Sequence, residues 1–262
     1  MSSSAMHIAR TGLDAQDTRM RVISNNLANV NTTGFKKDRA AFETLSYQTI
    51  TAPGAQSTSE TKYATGLNLG TGVRIQGTSR IDTQGSLQQT GNSFDLALDG
   101  DGYFQVQLPG GNLGYTRAGN FSRSPEGLMV TSEGYQVMPG ITVPTNATSV
   151  TIGTDGTVTA QIPGQTEGTT LGQIQVASFP NPTGLQSTGD NYLTETASSG
   201  AANLGIAGED GRGQVRQGSL EASNVNVVEE LVDMIECQRA YEVNSKMISA
   251  SDDMLKNLNQ NL

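Results

Sequence analysis

Hydrophobic and polar positions follow two rhythms along this chain, one at its ends and another in its middle. Stepping back from the last residue by alternating fours and threes meets Leu262, Leu258, Leu255, Ser251, Ile248, Asn244, Tyr241, Cys237, Met234, Glu230 and Val227, of which eight are apolar. Near the start, Met6, Ala9, Leu13, Gln16, Met20, Ile23, Leu27 and Val30 keep the same spacing, with only Gln16 polar. Three–four alternation is the seam of a helix packed lengthwise on other helices. The spacing predicts one helix from about Ser4 to Val30 and a second from Ser223 to Leu262. The second stretch holds neither Gly nor Pro, in a chain with 31 glycines. Ser223 or Asn224 is placed to cap it, and Glu229, Glu230 and Asp233 sit early, where the helix dipole favours anions. After the first helix, Asn31-Thr32-Thr33-Gly34 brings turn chemistry, with Gly34 suited to a left-handed position. Helices this polar are marginal alone in water, so each needs a partner.

Between the ends the rhythm shortens to two. From Val73 to about Gly218, alternating runs such as VRIQGTSRI, FDLALDG, YFQVQL, SVTIGTDGTVTA and GQIQVASF are separated by turn residues. Asp-Gly pairs at 99–100, 101–102 and 155–156, and Glu-Gly at 126–127, mark tight connections between antiparallel strands. Phe35 to Ile50 fits either a short helix or an extended arm. Thr51 to Arg74 is small, polar and Gly-rich, and by itself reads as a flexible linker. The expected fold is α+β, with N- and C-terminal coiled-coil helices flanking an all-β middle of many short antiparallel strands. Residues 1–36 and 219–262 are expected to form the helical part, 37–74 an arm, and 75–218 the β-rich core.

Composition narrows the function. The chain of 262 residues is 35% hydrophobic and has no Trp, so its apolar cores are expected to be thin. A net charge of −9 disfavours a nucleic-acid partner. Charge is uneven: residues 1–39 carry six Lys/Arg against three Asp/Glu, whereas residues 221–262 carry three against eight. That complementarity favours packing of the two ends side by side. No run approaches the ~18 apolar residues of a membrane span, so no membrane insertion is expected. The start, MSSSAMHIARTGLD, lacks the pattern of a cleaved signal, and a lone Cys237 allows no internal disulfide; both read most simply as cytoplasmic.

Catalytic and cofactor chemistry find little to work with. His7 is the only histidine, and Cys237 falls on the helical seam, where a thiol behaves as a small hydrophobe. Metal sites of His and Cys are excluded by number. Asp95, Asp99 and Asp101 miss the spacing of a calcium loop and read as turn chemistry, as do Glu209 and Asp210. No catalytic, cofactor or metal residue is expected, and the chain is not expected to be an enzyme.

Longer segments carry a resemblance. SNNLANVNTTGFK (Ser24–Lys36) and EELVDMIECQRAYEVNSK (Glu229–Lys246) resemble the terminal motifs of the bacterial flagellar rod and hook proteins. DLALDGDGYFQV (Asp95–Val106) and YTRAGNFSRSPEGLMVTSEGYQV (Tyr115–Val137) resemble that family's β core. The stretch through YQTITAPGAQ to GLNLGTGVR resembles an insertion of its distal-rod members. Residues matching the motifs are Asn25, Asn26, Asn29, Asn31, Gly34, Phe35, Gln238, Arg239, Ala240, Tyr241 and Asn244. Those of the insertion are Tyr47, Pro53, Gly54, Gly66, Gly70 and Gly72.

The resemblance implies a subunit of a hollow helical shaft that crosses the periplasm and transmits torque from motor to hook. It also implies export through the flagellar type III apparatus without a cleaved signal, which overrides the cytoplasmic reading. Its implied partners are other copies of itself, proximal rod proteins below, hook protein above and the outer ring proteins that act as a bushing. The terminal seams would then be self-assembly surfaces and the arm a lateral contact. Competing readings are another axial protein, proximal rod or hook, and a secreted β-rich binding module with a helical stalk.

Overall fold

Helix α1 (Ser2–Ala28) and helix α2 (Val227–Gln260) pair antiparallel at the two ends of the chain. The computed structural model describes residues 2–56, 62–164 and 168–260. Leu262 lies outside the described residues, and so do the side chains of Leu255 and Leu258. Antiparallel order follows from the contacts: Asn26 meets Glu230, Arg19 meets Asp233, Gln16 meets Cys237 and Gly12 meets Asn244. Helix α1 ends two residues before Val30, where Thr32 turns back on Asn29 through both its amide (3.2 Å) and its hydroxyl (3.1 Å). Helix α2 starts later than the Ser223 or Asn224 cap expected from sequence. Its cap is Asn226, whose Oδ1 accepts the Val228 amide at 3.1 Å. Asn224 is unavailable because its side chain accepts the Lys37 amide and donates to Ile81 and Thr83.

The described residues divide into two compact units. The first holds residues 2–27, 38–56, 62–79 and 226–260, so the arm groups with the helices. The arm is made of strands. β1 (Asp38–Thr44) pairs with β4 (Val73–Arg80), and β2 (Tyr47–Thr51) pairs antiparallel with β3 (Leu67–Gly70). The ladder continues past β2 through Gly54, whose amide donates to Tyr63 O at 2.9 Å. The linker reading of Thr51–Arg74 is therefore replaced, on its described residues, by a β-hairpin. Its small residues are compatible with pairing because the hydrogen bonds are main-chain to main-chain.

The second unit holds residues 28–37 and 80–225. In chain order it runs through β5 (Leu87–Gln89), β6 (Leu96–Asp99), β7 (Tyr103–Gln107), β8 (Leu113–Thr116), β9 (Ser122–Arg123) and β10 (Met129–Val130). It continues with β11 (Ser149–Ile152), β12 (Thr157–Gln161), β13 (Thr169–Gln173), β14 (Val176–Ser178) and β15 (Gln186–Gly189). The last are β16 (Tyr192–Thr194), β17 (Asn203–Gly205), β18 (Gln214–Gln217) and β19 (Ser219–Glu221). The largest sheet has the order β15-β16-β8-β7-β14-β17.

Apolar clusters cover both faces of that sheet. Phe104, Val106, Val176 and Tyr192 point to one cluster, while Tyr103, Ala177 and Leu193 point to the other. Alternation along a strand sends neighbours to opposite faces, so covering both sides buries the strand continuously. Aromatic rings meet edge to face in each cluster, Phe104 with Phe121 at 5.2 Å and Tyr115 with Phe179 at 4.8 Å. Two of the acidic turn residues have basic partners, Asp99 in Arg216 at 2.6 Å and Asp210 in Arg212 at 3.1 Å, while Asp95 accepts from Thr90 and Asn92.

One polar cluster is buried in this unit. Glu221 is fully buried and takes Lys36 Nζ at 2.5 Å, the Gly85 amide at 2.9 Å and Arg117 at 3.2 Å. Lys36 also donates to Thr83 O (2.8 Å), and Arg117 donates to Gly100 O (2.8 Å) and lies over the Tyr103 ring. Burial pulls the Lys36 ammonium below its usual range, with the Glu221 carboxylate opposing. Gly34 brings Lys36 in: its φ is +68°, and its amide donates to Glu221 O at 2.8 Å. A Cβ at Gly34 would stand 2.5 Å from the Arg117 carbonyl carbon, which has no room to move. Gly34→Ala combines left-handed strain with that collision and should cost the β unit about 3 kcal/mol. A lowered urea midpoint at unchanged slope checks it.

Candidate assembly interface

Small side chains line the seam between α1 and α2. On α1, Gln16 meets Cys237 and Gly12 meets Asn244, and Ala9, Cys237 and Ser251 are buried. A Cβ at Gly12 would already be 3.0 Å from the Asn244 side chain. Small residues let two backbones approach closely, at the expense of apolar area. The Cys237 thiol donates to Gln16 O at 3.1 Å, and burial pushes its pKa up, as expected of an unreactive seam residue.

Polar side chains fix the register of the pair. Asn26 is buried at the end of α1, where its carboxamide donates to Asp38 O (2.9 Å) and accepts the Asp38 amide (3.0 Å). It thereby stands in for a strand neighbour where β1 begins. The same carboxamide donates to Glu230 Oε2 at 3.2 Å, so α1, α2 and β1 meet on one side chain. Arg19 adds an ion pair to Asp233 at 2.9 Å. Buried polar residues in helix seams are an attested way to specify one alignment over its neighbours.

The two sequence seams are distributed as follows. On α1, Ala9 and Ile23 are buried, while Met6, Leu13, Met20 and Leu27 are half-buried; Val30, beyond the helix end, is half-buried too. On α2, Glu230 and Cys237 are buried, Met234, Asn244 and Ile248 are half-buried, and Val227 and Tyr241 are exposed. Of the remaining motif residues, Phe35 and Ala240 are half-buried, and Asn25, Asn31, Gln238 and Arg239 lie on the surface.

A second stripe on α2 was missed by the seam pattern. Val228, Leu231, Val232, Ile235, Val243, Met247 and Met254 are all exposed, Val228 at 70% and Met254 at 59%. At 3.6 residues per turn Val228, Leu231, Val232, Ile235 and Val243 fall roughly opposite the face that meets α1, and Met247 and Met254 flank that face. The signal was present as Val228, Val232, Ile235 and Val243, but Arg239 interrupts it. The inner face of α2 thus carries Glu230, Cys237, Asn244 and Ser251 beside the half-buried Met234 and Ile248, and its outer face carries large apolar residues that are exposed.

The arm is also apolar and exposed. Tyr47, Ile50, Tyr63, Leu67 and Leu69 stand out from the β2–β3 hairpin. Tyr47 lies across Gly70, Gly66 sits against Pro53, and Gly54 is open to solvent. The hairpin is rooted on α1, where Thr11 Oγ1 accepts the Val73 amide at 3.3 Å. Ala15, one turn further along that face, is buried. Gly72 has φ +123°, and a Cβ there would collide with Thr11 Oγ1.

Comparison with known proteins follows the same division of the chain. Residues 6–36 match a family of flagella basal body rod proteins. Residues 97–160 match the D1 domain of the flagellar hook protein FlgE/F/G, and residues 216–261 the C-terminal domain of the flagellar basal body rod FlgEFG proteins. The flagellar basal-body rod protein FlgG of Buchnera aphidicola from Acyrthosiphon pisum is 50% identical over 98% of both chains. FlgG of Caulobacter vibrioides is 48% identical over 98% of both. FlgF of the same bacterium is 34% identical, over 93% of this chain and 92% of its own.

Gly72→Ala should release the root of the arm at a cost of about 2 kcal/mol. Amide exchange in residues 45–51 and 67–73 would then rise roughly thirtyfold while α2 keeps its rate. Unchanged exchange would show that the arm is held elsewhere.

Proposed function

Because the chain belongs to the flagellar basal-body rod protein family, we propose that it is a structural subunit of the distal rod, built by repetition of this chain into a hollow helical shaft. It is a component of the flagellar basal-body rod and assembles with other rod components. Greater identity to FlgG than to FlgF of one bacterium, 48% against 34%, supports the distal position over another place in the axis. The observation that carries the reading is the outer stripe of α2. Five large apolar residues opposite an already occupied seam, extended by Met247 and Met254 along its flank, fit other copies of the same helix pair. Packed against a different surface of the next copy, this face makes a heterologous contact, which propagates into a filament unless the rotation closes.

Burying those half-exposed side chains would contribute on the order of 5–10 kcal/mol per subunit. Ordering a helix costs about 1–2 kcal/mol per residue, so the helices gain their full stability when copies stack. The exposed arm residues Tyr47, Ile50, Leu67 and Leu69 add a lateral contact between neighbours. In this reading the shaft meets proximal rod proteins below, hook protein above and ring proteins around it. Its subunits arrive through the type III export apparatus and carry torque across the periplasm without any catalytic step.

Ile235→Lys places a charge in the middle of the outer stripe and should abolish polymer formation, leaving the monomer's circular dichroism unchanged. Pelleting of concentrated protein separates the outcomes, and normal polymer yield would sink the stripe as the contact. Leu27→Pro or Met234→Pro breaks a helix at about 3 kcal/mol and should also abolish assembly with the β unit still folded. A functional rod carrying either proline would overturn the reading.

A further inference from the structure

The two flanks of the helix pair differ. Turning the same way about two antiparallel helices leads to the same side of the pair. On one side Arg19 reaches across to Asp233 (2.9 Å) and Glu236 (3.8 Å), and Thr11, further round α1, holds the root of the arm. On the other side α1 carries Met6, Leu13, Met20 and Leu27, and α2 carries Val227, Met234, Tyr241 and Ile248. Both rows repeat every seven residues. The contacts of Asn26 with Glu230, Gln16 with Cys237 and Gly12 with Asn244 set them level, Leu27 beside Val227 and so on to Met6 beside Ile248. The result is a groove with four apolar rungs, spaced about 10 Å apart and continuous with the seam. None of these side chains is buried, and Val227 and Tyr241 are exposed.

On the reading that copies of this chain stack into a rod, we propose that the groove receives the outer stripe of α2 from the next copy. Symmetry supplies the first reason. Stripe packed on stripe uses one surface twice and closes as a dimer, whereas a polymer that repeats one contact needs two different surfaces. Among the described residues the groove is the apolar surface that both helices build together. The outer face of α1 instead shows Arg10, Asp14, Asp17 and Arg21, and the opposite flank is spanned by the Arg19 ion pairs. Spacing supplies the second reason. Val228, Val232 and Ile235 follow the four–three step of a coiled-coil helix, and rungs that repeat every seven residues offer such a helix its holes. The arm hairpin, whose side chains alternate with a period of two, does not. Copies that all point one way along a polymer set the incoming α2 parallel to the α2 that receives it and antiparallel to α1. The helices of one chain then clasp a helix of the next, and the row on α1 that the seam leaves half-buried is completed by another copy.

The test uses the full chain with Cys237→Ser, which keeps a donor to Gln16 O. Ile235→Cys is combined in the same chain with a cysteine at one rung, replacing Leu27, Met20, Leu13 or Met6 in turn. A disulfide needs Cα atoms within about 7 Å, so only a rung lying against Ile235 reacts. Polymer is pelleted from concentrated protein, oxidised with copper phenanthroline and run on a gel without reductant. Every copy offers both thiols, so one or two of the four double variants should give a ladder of dimers, trimers and higher species. Ile235→Cys without a rung cysteine should stay monomeric. Should a rung cysteine on α1 cost the helices their circular dichroism, Val227→Cys, Met234→Cys, Tyr241→Cys or Ile248→Cys reads the same rung from its other wall. Dimers from Ile235→Cys without a rung cysteine would show stripe meeting stripe and overturn the groove. A ladder from Ile235→Cys with Leu69→Cys on the arm, or a polymer in which no rung cross-links, would overturn it too. Absence of any pelletable polymer from the Cys237→Ser chain would instead overturn the rod-subunit reading, and the groove with it.

Discussion

Ala9, Gly12, Cys237 and Ser251 alternate in the seam between α1 and α2 with Met20, Ile23, Met234 and Ile248, of which only Ile23 is buried, so apolar burial between the two long helices is limited. Hydrophobic stabilisation scales with area removed from water, and Ala9, Gly12, Cys237 and Ser251 have little to remove. They contribute close approach and, with Asn26, Glu230 and Arg19, a defined register. The area needed to offset the ordering of the helices is on the outside, on Val228, Leu231, Val232, Ile235, Val243, Met247 and Met254. Alignment and cohesion are thus assigned to different faces of one helix. A subunit built this way is specified alone and stabilised by its neighbours, which suits a protein of the flagellar rod.

The β unit answers the same constraint from the other direction. Its largest sheet is covered on both faces, so it has the apolar burial that the helices lack. It also takes in residues 28–37 and 219–225 and ties them together on Glu221. Ion pairs buried this deeply give little net stability compared with apolar packing, yet removing one partner is severe. Such a cluster discriminates between a complete and an incomplete arrangement more sharply than a greasy contact of the same size.

Periodicity made the helices and the inner seam legible, because three–four spacing survives the substitution of Glu230, Asn244 and Ser251 for apolar residues. It hid the outer stripe, since a reading that follows one seam assigns the opposite face to solvent and Arg239 breaks the run. Alternation and Asp-Gly turns exposed the β character of the middle. Sheet order was out of reach: β8 pairs with β7 and with β16, and nothing local to Tyr115 marks Leu193 as its partner. The arm read as a linker because its pairing relies on main-chain hydrogen bonds, to which small polar side chains are indifferent. Lys36, Arg117 and Glu221 carry no local sign of burial, and only the fold brings them together. Gly34 was legible for its backbone and not for its place against Arg117.

Helix α2 aligns through one face and coheres through the other, which electron cryomicroscopy of the assembled polymer, at a resolution that shows side chains, would reveal. Ile235, Val232 and Val243 are expected against a neighbouring copy, while Cys237 and Gly12 remain in a seam formed within one chain. An outer stripe left open to water, or an α1–α2 seam formed between different copies, would contradict it.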